Sequence, residues 1–307
     1  MRKQQGFFWM SWVMFLTLLV FSAAVVVSPA HSAPAPAAHG KHFDRVIIIV
    51  LENQNYTSAM KNKFMSDLAQ QGAAFTNFKG IAHPSYPNYL AMIAGSTFDV
   101  HSDSQKNFPD DDQHRSIANL MEDWRNYAED YPVNPQPFLG GSRGRYARKH
   151  VPFLSFQRVQ QKSFHNVVSV DTHDVNNAFV TDIAAYKRDA AKNPLPRYMF
   201  YSPNLDDDGH DTGMNVAAEW LQKFLNTWLK LDDKLKGTLV VVTFDESEGR
   251  EKTNRIYTVF LGDMIKPGPV NNEYSHYSVL RTIEDNFGLP TLNSGDGGAT
   301  PIGDIWK

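Results

Sequence analysis

Short, unbroken apolar runs alternate along the chain with longer segments whose apolar residues recur at helical spacing. The stretches 43–51, centred on Val46-Ile47-Ile48-Ile49-Val50-Leu51, and 238–244, centred on Leu239-Val240-Val241-Val242, have the continuous aliphatic cores of parallel strands buried on both faces. Residues 197–202 and 256–261 read as two further strands, and 164–170 as a weaker fifth. The helical pattern covers 64–71, 116–128, 176–190, 216–235 and 277–287. This alternation predicts one α/β domain over 43–307, a mainly parallel central sheet flanked by helices. Residues 131–163, rich in Pro, Gly, Arg and aromatics, read as a long loop region, and loops of that length tend to carry function.

One predicted helix start draws attention: His83-Pro84-Ser85-Tyr86-Pro87-Asn88-Tyr89. Pro87 suits a first helical turn, the apolar run Tyr89–Ala94 continues it, and Gly95 closes it as a C-cap. Ser85 then falls at the N-cap. A hydroxyl there can cap the helix, or it can attack a phosphorus whose oxygens rest on the same backbone N–H groups. This segment alone leaves both roles open.

Polar chemistry gathers at the ends of the predicted strands. Glu52-Asn53 follows the first, Asp206 and His210 follow the strand at 197–202, and Asp245-Glu246 follows 238–244. Ligands of open α/β sheets bind beyond the carboxyl ends of strands, so these groups can converge on one crevice. Glu52, Asn53, Asp245 and Glu246 form an oxygen-rich set suited to a hard divalent cation such as Mg²⁺, Ca²⁺ or Mn²⁺, and an added histidine makes Zn²⁺ or Fe acceptable. Without a cation the acids repel one another; with one, a Ser85 alkoxide is stabilised. Among the histidines, His150, His210 and His276 lie in turn-like segments near strand ends or the long loop, where a polar group can be presented.

Composition narrows the classes. A net charge of −3 over 307 residues, with 42% hydrophobic residues, is ordinary for a globular chain and gives no case for a nucleic-acid partner. The absence of cysteine excludes thiol catalysis and Cys-ligated zinc. At the N-terminus, Met1-Arg2-Lys3, the apolar run Phe7–Val27 and the small residues up to Ser32 predict a signal peptide over 1–32, and so a periplasmic or secreted protein. An uncleaved membrane anchor is the other reading. Residues 33–42 read as a mobile Pro/Ala-rich linker.

The ordered set Val-Leu-Glu52-Asn53-x-x-Tyr56, His83-Pro-Ser85-Tyr-Pro-Asn88-Tyr89, Tyr-Ala-Glu129-Asp-Tyr-Pro132, Arg-Lys149-His150-Val-Pro-Phe, Ser-Pro-Asn204-Leu-Asp206-Asp-Asp-Gly-His210-Asp211, Thr-Phe-Asp245-Glu246 and His276-Tyr-Ser-Val-Leu-Arg281 resembles the phosphoesterase family. That family comprises bacterial and fungal acid phosphatases and phosphatidylcholine-type phospholipases C, within the alkaline-phosphatase-like superfamily. The chain looks like its compact, phosphatase-type branch. The resemblance implies a nucleophilic Ser85 beside one divalent metal ion held by Glu52, Asn53, Asp245, Glu246 and Ser85 itself. It implies His150 and His210 as phosphate ligands or proton donors, with Asn88, His83, Lys149 and Asp211 on the substrate side. Asp206, His210 and His276 are similar to a second metal or phosphate site, although Glu246 stands where two-zinc relatives place a histidine, which favours a single metal.

The function implied is a secreted, metal-dependent acid phosphatase acting through a phosphoserine. A phospholipase C or phosphoinositide phosphatase, with the aromatic-rich segment 131–156 meeting a membrane, is the alternative. A non-catalytic phosphate- or metal-binding protein is the reading from another class. The expected partners are a small phosphomonoester or a lipid phosphate, with membrane contact only through substrate, in a monomer or small oligomer.

Overall fold

The computed structural model describes residue 1 and residues 40–132, 135–230 and 235–307, and every element lies within the unit Ala38–Lys307. The predicted signal peptide over 1–32, and the linker up to 39, lie outside the described residues. The last linker positions are docked rather than mobile. The Lys41 N–H donates to the Asn286 carbonyl at 2.9 Å, the His42 N–H donates to Asn286 Oδ1 at 2.7 Å, and the His42 ring stacks on Trp306 at 4.6 Å.

In chain order the elements are β1 (Arg45–Leu51), α1 (Tyr56–Lys61), α2 (Lys63–Gln71), β2 (Ala73–Lys79), α3 (Ser85–Ala94), α4 (Ile117–Leu120), β3 (Trp124–Glu129), β4 (Ser142–Arg143), β5 (Tyr146–Ala147), α5 (Gln157–Lys162), β6 (Val167–Val170), α6 (Ala178–Arg188), β7 (Tyr198–Ser202), α7 (Met214–Lys223), β8 (Thr238–Phe244), β9 (Arg255–Leu261), β10 (Gly268–Val270), β11 (Tyr274–Ser275), α8 (His276–Phe287) and α9 (Gly295–Gly298). The main sheet runs β10-β2-β9-β8-β1-β7-β3-β6, with β11 on β2. Its ladders are parallel except where β9 pairs with β2 and β8, so the expected mainly parallel α/β sheet is what the chain forms.

β1, β7 and β8 lie at the centre, and apart from the half-exposed Arg45 every residue in them is buried. Runs of Val and Ile suit this position, because both faces of a central parallel strand meet helices and β-branched side chains pack well on a pleated surface.

Two segments depart from the pattern. Of the helix expected over 116–128, only Ile117–Leu120 is helical, and Trp124–Glu129 enters the sheet as β3 between β7 and β6. Its mid-strand Asn126 is buried because its amide donates to the Phe200 carbonyl at 3.1 Å and to Ser202 Oγ at 3.1 Å. The helix expected over 216–235 begins at Met214 and gives way at Phe224–Leu229 to a π-helical turn. β2 falls where no strand is predicted.

Candidate active site

Parallel register fixes where the site forms. Leu51 in β1 pairs with Phe244 in β8, so Glu52 and Asp245 leave the sheet side by side at its carboxyl edge. The main chain then turns at Asn53, whose φ of 47° is the left-handed region that Asn tolerates better than most residues. This sets the Asn53 N–H towards Asp245 Oδ1 at 3.2 Å and leaves its side-chain oxygen facing Ser85.

α3 brings Ser85 to this edge. All ten of its residues are buried, which an almost wholly apolar helix requires. Gly95 ends it with φ 63°, and a Cβ there would come within 2.2 Å of Asp296 Oδ1, so the cap has to be glycine. At the other end Pro84, not Ser85, occupies the N-cap, so the helix begins one residue earlier than expected and Ser85 is its first residue. Its hydroxyl caps nothing. Oγ lies 3.0 Å from Glu52 Oε2, 3.3 Å from Asn53 Oδ1 and 3.1 Å from Glu246 Oε1. A single hydroxyl proton can serve one of these acceptors. The remaining close oxygen–oxygen approaches, with the buried Asp245 Oδ2 lacking a hydrogen-bond partner, form a donor set that fits a hard cation. As placed, no three Asp, Glu or His side chains among the described residues make a cation cage by themselves; the convergence runs through Ser85 and Asn53.

The electrostatics divide the acids. Burial pushes the Asp245 carboxyl well above the ordinary range, and the neighbouring Glu52 and Glu246 add to it. Glu246 is likewise raised by burial, although His83, in contact with its Oε2 through Nδ1, opposes this. Glu52 goes the other way. Burial alone would raise it, but His150 and Lys149 together hold it well below the usual carboxylate range.

The predicted site residues fall into an inner group and an outer group. Glu52, Asn53, Ser85, Asp245 and Glu246 come together as described. Lys149 Nζ lies 3.8 Å from Glu52 Oε2 and 3.2 Å from Asp103 Oδ2, at the rim of the same crevice. His83 stands beside Glu246 at that rim, and His210, partly exposed, pairs through Nδ1 with Asp211 at 2.6 Å.

Others are placed elsewhere. Asn88 is fully buried, and its side chain accepts from the Ile81 and Ala82 N–H groups at 2.7 and 3.0 Å and donates to the Ala82 and Pro84 carbonyls at 2.8 and 3.2 Å, so it shapes the turn before α3 and does not face substrate. His150, 2% exposed, sits behind Glu52 with its ring stacked on Tyr89, so it has no route to a substrate oxygen. The second-metal set is not assembled. Asp206 lies on the exposed side of its loop, 3.8 Å from Arg145, while buried His276 contacts the Asp245 carbonyl through Nε2 at 2.7 Å and is pushed down by burial to a pKa of about 4.

Two residues at the site are not singled out by the sequence reading. Asp103 accepts from the Tyr86 N–H at 3.0 Å at the start of α3 and also holds Lys149. Asp208 is fully buried beside His150, and Gly209 with φ 92° turns the chain so that Asp208 points inward and His210 outward. In the run Asp206-Asp207-Asp208 the position before the glycine was the available signal.

The phosphoesterase family model matches residues 50–290, and the chain belongs to that family. Its fold is shared with solved structures, among them a protein of the alkaline phosphatase superfamily from Vibrio parahaemolyticus (TM-score 0.56, 12% identity, 87% of this chain and 72% of that one) and a putative sulfatase from Bacteroides thetaiotaomicron (TM-score 0.51, 11% identity, 81% and 71%).

Among curated relatives, the phosphate-repressible acid phosphatase of Penicillium chrysogenum is 32% identical over 87% of this chain and 64% of its own length. The probable acid phosphatase of Kluyveromyces lactis is 34% identical over 86% and 62%. The phosphatidylinositol-3-phosphatase of Mycobacterium tuberculosis is 33% identical over 86% and 83%. The chain thus spans under two thirds of the length of the two fungal proteins.

Proposed function

We propose that the protein is an exported, cation-dependent phosphatase that hydrolyses phosphomonoesters through a phosphoserine on Ser85. The observation that carries this is the Ser85 hydroxyl at the buried start of α3, held among Glu52, Asn53 and Glu246 at 3.0 to 3.3 Å. A cap or a binding module has no need of a hydroxyl among acids. The acid phosphatase relatives support the reaction class, and the predicted leader at 1–32 supports export.

Glu52, Asn53, Ser85, Asp245 and Glu246 would hold one divalent cation, Mg²⁺, Ca²⁺, Mn²⁺, Zn²⁺ or Fe. When bound, it would lower the pKa of the serine hydroxyl and offset negative charge developing on the phosphoryl oxygens. The chain's own groups do the rest. Glu246 Oε1, 3.1 Å from Ser85 Oγ, is placed to take the serine proton. Ser85 Oγ bonds to phosphorus as the bond to the ester oxygen breaks. His210, exposed and paired with Asp211, would supply the proton to that leaving oxygen. Lys149, 3.8 Å from Glu52 Oε2, would offset charge on the transferred phosphoryl group. Water then attacks phosphorus, giving its proton to the now neutral His210, as the bond to Ser85 Oγ breaks and Oγ takes its proton back from Glu246, releasing inorganic phosphate.

The lipid-facing reading loses its main support, because Tyr131, Tyr146, Phe153 and Phe156 from the aromatic segment are buried. A phosphoinositide is a substrate of the same monoester class, which the mycobacterial relative favours. The test is acid-quench mass spectrometry during turnover of an aryl phosphate, run beside a choline diester and a soluble phosphoinositide. A phosphate on Ser85 with monoester turnover supports the proposal; full turnover by Ser85→Ala, or diester hydrolysis alone, refutes it.

A further inference from the structure

Behind Glu52 lies a second row of buried polar groups on which no role has been placed. His150 Nε2 is 2.9 Å from Glu52 Oε1, and His150 Nδ1 is 3.3 Å from Asp208 Oδ2. All three side chains are 0 to 3% exposed. The three facing atoms, Glu52 Oε1, His150 Nε2 and Asp208 Oδ2, are buried and lack aligned hydrogen bonds in this arrangement, so each has the next as its electrostatic partner. The ring itself is fixed, stacked on Tyr89 with centroids 5.0 Å apart and planes 13° from parallel.

The other end of the row is anchored to the backbone. The Asp208 N–H donates to the Asn204 carbonyl at 2.8 Å, and Asp208 Oδ1 accepts from the His210 N–H at 2.7 Å. The Glu52 N–H donates to the Asp208 carbonyl at 3.0 Å, so main chain and side chains link the same two residues. Asn204 is in turn held by buried Glu129, whose Oε2 accepts from the Asn204 N–H at 3.0 Å.

We infer that Asp208 and His150 are positioning residues: the row Asp208–His150–Glu52 fixes the orientation of the Glu52 carboxylate, so that Oε2 faces Ser85 and the cation position while Oε1 is held from behind. The inference rests on the cation reading above. The physical reason is that a carboxylate ligand free to rotate loses affinity for its ion, and outer partners that fix ligand orientation typically matter by about 10- to 100-fold in metal affinity. Asp208→Asn keeps the shape and removes the charge.

The experiment is a thermal-shift titration of the full chain with MgCl₂, CaCl₂ and MnCl₂ in turn, after removal of bound metal. The parent chain is expected to show a saturable rise in Tm with at least one cation. For Asp208→Asn the half-maximal concentration of that cation should rise about 10- to 100-fold, with the cation-free Tm within a few degrees of the parent. At saturating cation, kcat and KM for an aryl phosphate should return to within about threefold of the parent. A purely structural Asp208 would lower the cation-free Tm and leave the midpoint unmoved, and that result overturns the inference while leaving the site reading intact. No saturable shift in the parent overturns the cation reading and the inference together. Should Asp208→Asn not fold, His150→Gln carries the same expected midpoint shift, and an unchanged midpoint there is equally decisive against it.

Discussion

Two buried acidic groups in this fold solve the same problem differently. At the carboxyl edge of the sheet, Glu52, Asp245 and Glu246 crowd around Ser85, with Lys149 and His150 beside them. Away from that edge, Glu284 of α8 lies against Asp296 of α9, both fully buried, and Glu284 is pushed up to about 8, first by burial and then by the Asp296 charge. The second pair is relieved by a proton. The Asp296 carboxylate accepts from the Leu292 and Ser294 N–H groups, at 2.6 and 3.0 Å, while Glu284 holds its proton up to about pH 8. The first group cannot be relieved so simply, because its oxygens share one small volume around a hydroxyl and cationic side chains hold Glu52 ionised. Burial alone therefore does not mark a functional acid. Convergence of several oxygens, with one kept charged, does.

Mutation can sharpen this contrast. The largest effect is expected for Ser85→Ala, which should lower hydrolysis of an aryl phosphate by about 10⁴-fold or more, as loss of a nucleophile does elsewhere, with the Tm nearly unchanged. Next, Asp245→Asn should lower kcat by about 10²- to 10³-fold, the range seen when one electrostatic stabiliser is removed. It should also raise the cation-free Tm, because burial, Glu52 and Glu246 all oppose its charge; a lower Tm would break the picture of mutual repulsion.

Glu284→Gln should raise the Tm as well, yet leave phosphatase activity at the parent level. Its effect has a definite pH sign. The folded pKa of about 8 stands above the ordinary 4.5, so between these values the unfolded state has released a proton that the folded state retains, and parent stability falls as pH rises. The glutamine cannot ionise, so its advantage should widen from pH 5 to pH 8 by about a few degrees. An advantage that is constant or shrinks over that window would contradict a raised Glu284. The smallest effect is expected at the rim: Asp103→Asn, which loosens Lys149, should raise KM by about threefold, in line with a partly exposed ion pair.

The central strands were legible because their Val and Ile runs are continuous, and the strand-end acids could be read from position alone. β3 was not, since Leu120, Met121, Trp124, Tyr127 and Ala128 also satisfy helical spacing, and mid-strand Asn126 argues against a buried strand until its partners on β7 are seen. In the site, Ser85 with Glu52, Asn53, Asp245 and Glu246 came from the motifs. The division of labour between His150 and His210 did not. It depends on which side of each turn faces the core, and in Asp206-Asp207-Asp208-Gly209-His210 that is settled by one glycine at φ 92°. His276 and Asn88 misled for a similar reason, because a polar residue beside a site can be holding up its backbone.

The bond between the Asn53 N–H and Asp245 Oδ1 joins residues 192 positions apart. A chain emerging from the ribosome therefore holds Ser85, Glu52 and Asn53 long before Asp245 and Glu246 exist. Until β8 is synthesised and takes its place beside β1, the apolar edge of β1 that it will cover remains open. Catalytic competence thus arrives only with the last central strand, so premature termination anywhere before residue 246 should yield an inactive and aggregation-prone fragment rather than a weak enzyme.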